Sequence, residues 1–111
     1  MRIALMTNNY KPIMGGVPIS IERLARGLEA LGHEVTIFAP TYKEQQDMEE
    51  ANVFRYATCM KHFIGGIVLP NPFDIRIEKE IRRKAFDIIH VHHPMLIGRT
   101  AVHLSRKFHI P

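Results

Sequence analysis

Cysteine is nearly absent from this 111-residue sequence. Cys59 stands alone, so no internal disulfide forms and a cysteine-based zinc site is excluded. Long apolar runs are missing too: nothing reaches the roughly 18 uninterrupted apolar residues of a membrane-spanning helix. The apolar start, Met1 to Met6, is too short for a signal-peptide core and runs straight into Thr7, Asn8 and Asn9. A cytoplasmic chain is therefore expected. There are no internal repeats and no low-complexity tracts. With 46% hydrophobic and 23% charged residues, that excludes collagen, coiled coil and a long disordered tail, and leaves about one globular domain.

Two phosphate-binding signatures are also lacking. There is no tight G-x-G-x-x-G turn with an acidic residue about 20 positions on, as a dinucleotide site needs, and no Gly-Lys-Ser/Thr of a P-loop. What is present is a modest positive excess, +4. It favours anionic partners without choosing between nucleic acid, lipid headgroups and phosphorylated small molecules. The charge is unevenly placed. Lys43 faces Glu44, Asp47, Glu49 and Glu50 in one short stretch, whereas residues 76–107 carry eight lysines and arginines against Glu78, Glu80 and Asp87. The basic block reads either as solvated helix faces or as a stripe facing a membrane or nucleic acid.

The pattern along the chain alternates strand and helix. Residues 2–7 form a short apolar run suited to a buried strand. The loop that follows, Asn8 to Gly16, is longer than the usual two to six or so residues. A helix is expected to start near Pro18, with Ile21, Leu24, Ala25, Leu28 and Leu31 as its stripe and Gly32 as a left-handed stop. Residues 34–40 alternate as a second strand, completing a parallel βαβ unit. Residues 41–52 read as a polar loop or short helix, and Val53 to Tyr56 as a third strand. Residues 57–73 predict irregular backbone with a short strand at 67–69. Asp74 caps a helix to about Ala85 with Ile77, Ile81 and Ala85 inward. In it, Glu78 with Arg82 and Glu80 with Lys84 stand four apart in the favourable order. A strand over 87–92 and a helix over 96–107, with Ile97, Ala101, Leu104 and Phe108 on one side, complete the pattern. Alternation of this kind predicts a mostly parallel sheet covered on both faces.

Ligands of open α/β sheets collect at the carboxyl ends of the strands. Two features fall there. The first is the loop ending in Gly15, Gly16, Val17 and Pro18, where glycines admit close approach and a helix start offers free N–H groups to an anion such as a diphosphate. A plain structural turn is the other reading of the same residues. The second is His90-Val91-His92-His93-Pro94. Alternation puts His90 and His92 on one face and Val91 and His93 on the other. His90 reads as a buried, hydrogen-bonded structural residue, whereas His92 and His93 are better placed to meet a ligand. A His-x-His pair can also bind zinc, but no acidic or cysteine partner stands at a fitting spacing.

Taken together and in this order, several blocks resemble the N-terminal domain of the large family of retaining GT-B glycosyltransferases known as group 1 or family 4. They are Met1 to Leu5; Tyr10, Lys11 and Pro12 followed by Gly15, Gly16 and Val17; Leu28 to Phe38; and Phe86 to Pro94 with Gly98 and His109 to Pro111 behind them. The resemblance spans essentially the whole chain and leans toward the subgroup that glycosylates lipids such as diacylglycerol or phosphatidylinositol. It implies a three-layer, mostly parallel Rossmann-like α/β sheet with helices on both faces, cut before completion. Residues 1–111 would be part of an acceptor-side domain, and the domain that binds the nucleotide through a pair of glutamates would lie elsewhere.

The implied activity is hexosyl transfer, with retention, from a nucleotide sugar such as a UDP- or GDP-sugar to a lipid or glycan acceptor, without cofactor or metal. Gly15, Gly16 and Val17 would border the donor diphosphate, and His92 would be the catalytic residue facing the donor sugar. Tyr10, Lys11 and His93 are the acceptor-side candidates. Met60, Lys61, Phe63 and Ile64 suit either an interfacial contact at the inner face of a membrane or a loop tucked on the sheet. No nucleic-acid partner is expected, and no feature fixes an oligomeric state. Residues 1–111 alone are expected to be inactive. Two readings from other classes are a non-catalytic α/β module for a nucleotide or phosphorylated metabolite, and a metal hydrolase using His90, His92 and His93.

Overall fold

The computed structural model describes residues 1–13, 15–42, 51–60 and 69–111. In chain order the elements are β1 (Arg2–Met6), α1 (Gly16–Ala30), β2 (Glu34–Pro40), β3 (Val53–Tyr56), β4 (Thr58–Met60), β5 (Leu69–Pro70), α2 (Ile75–Lys84), β6 (Ile88–Val91) and α3 (Ile97–Phe108). Four strands form one sheet in the order β3-β2-β1-β6, every pair parallel. β4 and β5 pair antiparallel as a separate two-stranded ribbon. The expected α/β class and parallel sheet are therefore what the chain adopts.

Two apolar clusters sandwich the sheet. On one face Ile3, Leu5, Val35, Ile37 and Ala39 pack on Ile21 and Ala25 of α1. On the other, Ala4, Met6, Phe38 and Tyr56 pack on Ile77 and Ile81 of α2 and Ile97, Ala101 and Leu104 of α3. Central strands in a parallel sheet are covered twice, and β2 shows it: from Val35 to Pro40 every residue is buried.

Local chemistry sets most boundaries. Gly32, at φ 91°, ends α1 in a Schellman arrangement, in which Gly32 N donates to Glu29 O at 2.9 Å and His33 N to Leu28 O at 3.1 Å. Asp74 caps α2, accepting from Arg76 N at 3.0 Å. The Glu78–Arg82 and Glu80–Lys84 pairs form at 3.4 and 3.8 Å.

Several expectations are corrected. α1 begins at Gly16, not near Pro18, because proline is tolerated anywhere in the first turn, where amides lack helical partners. Leu31 is not part of the stripe: it is the C-cap and 76% exposed, since the chain has left helical phase there. Ala85 is likewise an exposed left-handed C-cap at φ 52°, not an inward residue of α2. The strand placed at 67–69 is seen as Leu69–Pro70, its earlier part lying outside the described residues. The loop or short helix at 41–52, and the membrane contact expected of Met60, Lys61, Phe63 and Ile64, also fall largely outside them. After α3 the backbone returns to the sheet, where Ile89 N donates to Pro111 O at 2.9 Å.

Candidate functional site

The sheet order fixes where a site can lie. β2 and β3 are added on one side of β1, while β6 is added on the other, so the order of strand addition reverses between β1 and β6, although all strands run parallel. Crevices for ligands open at the carboxyl ends of such a pair. The loop after β1 and the turn after β6 meet there.

The base of this crevice is buried and hydrogen-bonded. Thr7 is fully buried, its N–H donates to Phe38 O at 3.0 Å, and its carbonyl accepts from Tyr56 Oη at 2.6 Å. Burial pushes the Tyr56 phenol far above its ordinary value, so it stays a proton donor. His92 N donates to Met6 O at 2.9 Å, carrying the β1–β6 pairing one step beyond the strand.

Gly15 and Gly16 stand at the start of α1. Gly15, at φ 164° and ψ 179°, has extended backbone open to any residue, and no side chain among the described residues caps the helix. A Cβ placed on either glycine meets nothing within 4 Å among the described residues. Neither backbone conformation nor that packing demands glycine here. No acidic residue lies in the first turn. The other two helices are capped, α2 by Asp74 and α3 by Asn8, whose Oδ1 accepts from Ile97 N at 3.1 Å. Among the described residues α1 is the one helix whose start receives no side-chain cap; its first-turn amides are those of Gly16 and Val17, while Pro18 has none to give.

His92 projects from the same face of the sheet as this helix. In register, Leu5 pairs with His90, and Leu5 belongs to the cluster under α1, so His90 and His92 project on the α1 face. Their rings stack at 4.6 Å and 8°. The glycine pair and His92 thus share both the carboxyl rim and the face of the sheet. His90 is not the buried, hydrogen-bonded residue expected: it is exposed, because α1 lies over β1 and β2 and leaves β6 open on this face.

His92 Nε2 is buried and has no hydrogen-bond partner among the described residues. Burial first, then the neighbouring His90 and His93, lower its pKa to about 4. The ring is therefore neutral near pH 7, with a polar atom left to be satisfied. His93 is held differently. Asn8 N donates to its Nδ1 at 3.1 Å, which puts the ring proton on Nε2, and burial lowers its pKa as well.

The remaining candidates have structural engagements. Tyr10 is buried under α1, its N–H donating to Tyr42 Oη at 3.0 Å, with the Arg55 guanidinium 5.5 Å from its ring centre. Lys11 pairs with Glu22 of α1 at 2.8 Å, and chiefly this bond keeps the Glu22 carboxyl below its ordinary pKa. Val17 packs at the edge of the α1-side cluster. Among the described residues no three His, Cys, Asp or Glu side chains converge as a metal set would.

Asn8 is the residue that sequence reasoning missed. Besides capping α3 it donates through Nδ2 to Met95 O at 3.0 Å. The available signal was indirect: α3 opens on Leu96, which has no capping side chain of its own, so the cap has to come from elsewhere.

The family model for Glycosyltransferase Family 4 matches residues 14–111. The chain is also similar to individual enzymes. It is 29% identical over 120 residues to the alpha-monoglucosyldiacylglycerol synthase of Acholeplasma laidlawii, an alignment covering 100% of this chain and 28% of that protein. Against the enzyme of the same name from Streptococcus pneumoniae it is 30% identical over 112 residues, covering 100% and 25%. Against a GDP-mannose-dependent alpha-mannosyltransferase of Corynebacterium glutamicum it is 27% identical over 118 residues, covering 100% and 28%. The chain therefore spans 25–28% of the length of these relatives.

Proposed function

The chain belongs to Glycosyltransferase Family 4, and on that premise we propose that it forms one wall of a cleft where a sugar passes, with retention, from a nucleotide sugar to an acceptor. The donor is a UDP- or GDP-linked hexose, and no metal or cofactor takes part. One observation carries this reading: the orphaned, neutral His92 nitrogen shares a rim and a face with the single uncapped helix start among the described residues.

The roles follow from charge. As the glycosidic bond stretches, positive character grows on the sugar and negative charge on the departing diphosphate. Amides of Gly16 and Val17, fixed in advance at the positive end of α1, would stabilise that charge without reorganising. A neutral imidazole at His92 would hydrogen-bond a sugar hydroxyl and orient the ring without adding repulsion to the growing positive centre. Gly15 and Gly16 leave the approach to these amides unobstructed. In this reading His93, with its proton on Nε2, presents a donor toward the acceptor side, and Lys11 with Tyr10 shapes the floor of the loop.

A lipid acceptor is the reading favoured for the second substrate, since two relatives are named as diacylglycerol glycosylating enzymes. Phe73, Ile75 and Met95 are 86%, 68% and 72% exposed at or near the starts of α2 and α3, beside Arg76 and Arg99. Exposed apolar groups flanked by cations suit peripheral contact with an anionic membrane face. No described helix is long and apolar enough to cross a membrane.

The test uses a longer polypeptide in which residues 1–111 precede the nucleotide-binding half, with labelled UDP-glucose or GDP-mannose and diacylglycerol vesicles. His92→Ala is expected to lower kcat by about tenfold to hundredfold. Purified residues 1–111 are expected to transfer nothing. Undiminished turnover by His92→Ala, or turnover by residues 1–111 alone, would end this assignment.

A further inference from the structure

We propose that Asn8 is a positioning residue for His92, acting through the turn between β6 and α3. The inference rests on the reading of His92 given above and adds a residue to it.

Asn8 makes three hydrogen bonds across the crevice. Its N–H donates to His93 Nδ1 at 3.1 Å, its Nδ2 to Met95 O at 3.0 Å, and its Oδ1 accepts from Ile97 N at 3.1 Å. Met95 O and Ile97 N flank Leu96, which sits at φ 55° and ψ −99°. A non-glycine residue in that region is disfavoured and persists only where its surroundings over-determine it. The Asn8 amide bridges the peptide groups on either side of the kink and so supplies that restraint. Gly98 supplies a second: a Cβ there would collide with the His93 carbonyl oxygen, so the turn folds back against α3 only because residue 98 has none.

His92 lies inside this bracket. On its amino side it is tied to β1 through Met6 O, and on its carboxyl side His93 and Met95 are tied to Asn8. With both flanks fixed, the His92 ring has little freedom to swing from the α1 face. Releasing the carboxyl flank would let Leu96 relax and the imidazole turn toward water. Asn8 makes no hydrogen bond to either ring nitrogen of His92 among the described residues, which makes its action indirect.

A double-mutant cycle in the longer enzyme, with UDP-glucose or GDP-mannose as donor, separates this role from general stability. Asn8→Ala is expected to lower kcat about tenfold with the donor KM within about twofold. In a His92→Ala background the same change should cost less than about twofold. Asn8→Asp keeps the acceptor for Ile97 N and loses the donor to Met95 O, so a smaller loss is expected, and this variant carries the comparison should Asn8→Ala fail to fold. Equal losses in both backgrounds overturn the proposal. A second readout is independent of transfer. In the 111-residue chain, nitrogen-15 spectra of the histidines should show the His92 titration midpoint moving up toward the ordinary value when Asn8 is replaced. An unmoved midpoint overturns the proposal, whereas a moved midpoint with a silent His92→Ala in the assay supports the clasp and refutes the donor-wall reading.

Discussion

Two glycines on the same rim should respond to alanine in opposite ways, because one is required by the fold and the other is not. A Cβ at Gly98 would collide with the carbonyl oxygen of His93 and lie 3.3 Å from its carbonyl carbon and 3.9 Å from Val91 Cγ2. The obstacle is backbone and cannot rotate away, so α3 or the turn has to shift. Overpacking of this kind costs about 1–3 kcal/mol. So close an approach to a backbone atom takes the upper half of that range, and alanine in a helix returns about 0.5–1 kcal/mol of chain entropy, which leaves a net loss of about 1–2.5 kcal/mol. For a domain near this size that is a fall in melting temperature of about 4–10 °C. Gly16 is the first residue of α1, and its added methyl meets nothing within 4 Å among the described residues. Gly16→Ala should therefore melt at the same temperature or slightly higher, by up to about 0.5 kcal/mol. Yet its methyl would enter the space beside the uncapped amides, so sugar transfer by the longer enzyme should fall by about tenfold or more. Circular dichroism melts of the three proteins, paired with the transfer assay, decide the matter. An unchanged melt for Gly98→Ala refutes the close approach, a melt several degrees lower for Gly16→Ala refutes the claim that this glycine is free of the fold, and full activity in Gly16→Ala refutes the anion seat.

Gly27 is an exposed residue inside α1 with open space at its Cβ, so Gly27→Ala should stabilise by about 0.5–1 kcal/mol in denaturant melts. The His92 ring titrates at about 4 in the fold and near 6.5 when unfolded. Between those values the unfolded chain binds a proton that the folded chain refuses, so stability falls as pH drops from about 6.5 toward 4. His92→Gln should flatten that part of the melting curve against pH. Some slope should remain from His93, whose pKa is also lowered by burial. Asp74, held at about 2 against an ordinary 3.8 chiefly by Arg76, adds its own loss only below about 3.8. A slope unchanged by His92→Gln would contradict the burial argument for that ring.

Features governed by neighbours a few residues apart were legible in the sequence. The Gly32 stop, the Asp74 cap and the two i,i+4 ion pairs of α2 are local events, and the structure forms each of them. Strand alternation also placed His90 and His92 on one face, as their stacked rings require. Leu31 and Ala85 show the limit of periodicity. Both continue an apolar spacing, but each lies where the backbone has already left the helix, and spacing alone does not say where that happens.

The exposure of His90 needed knowledge of which strand α1 covers, and strand pattern is silent on that. Asn8 is a stronger case. Its partner Ile97 is 89 residues away, and they meet only because β6 inserts beside β1 on the side opposite β2. The amino-acid sequence determined the elements, their caps and the rim on which glycines and histidines would fall, since those follow from hydrogen bonds and side-chain periods within a turn or two. Only the tertiary structure decided that His92 and the α1 start share a face and that Asn8 clasps the turn between them. Strand order is set by the packing of both apolar faces at once, and no local pattern records it.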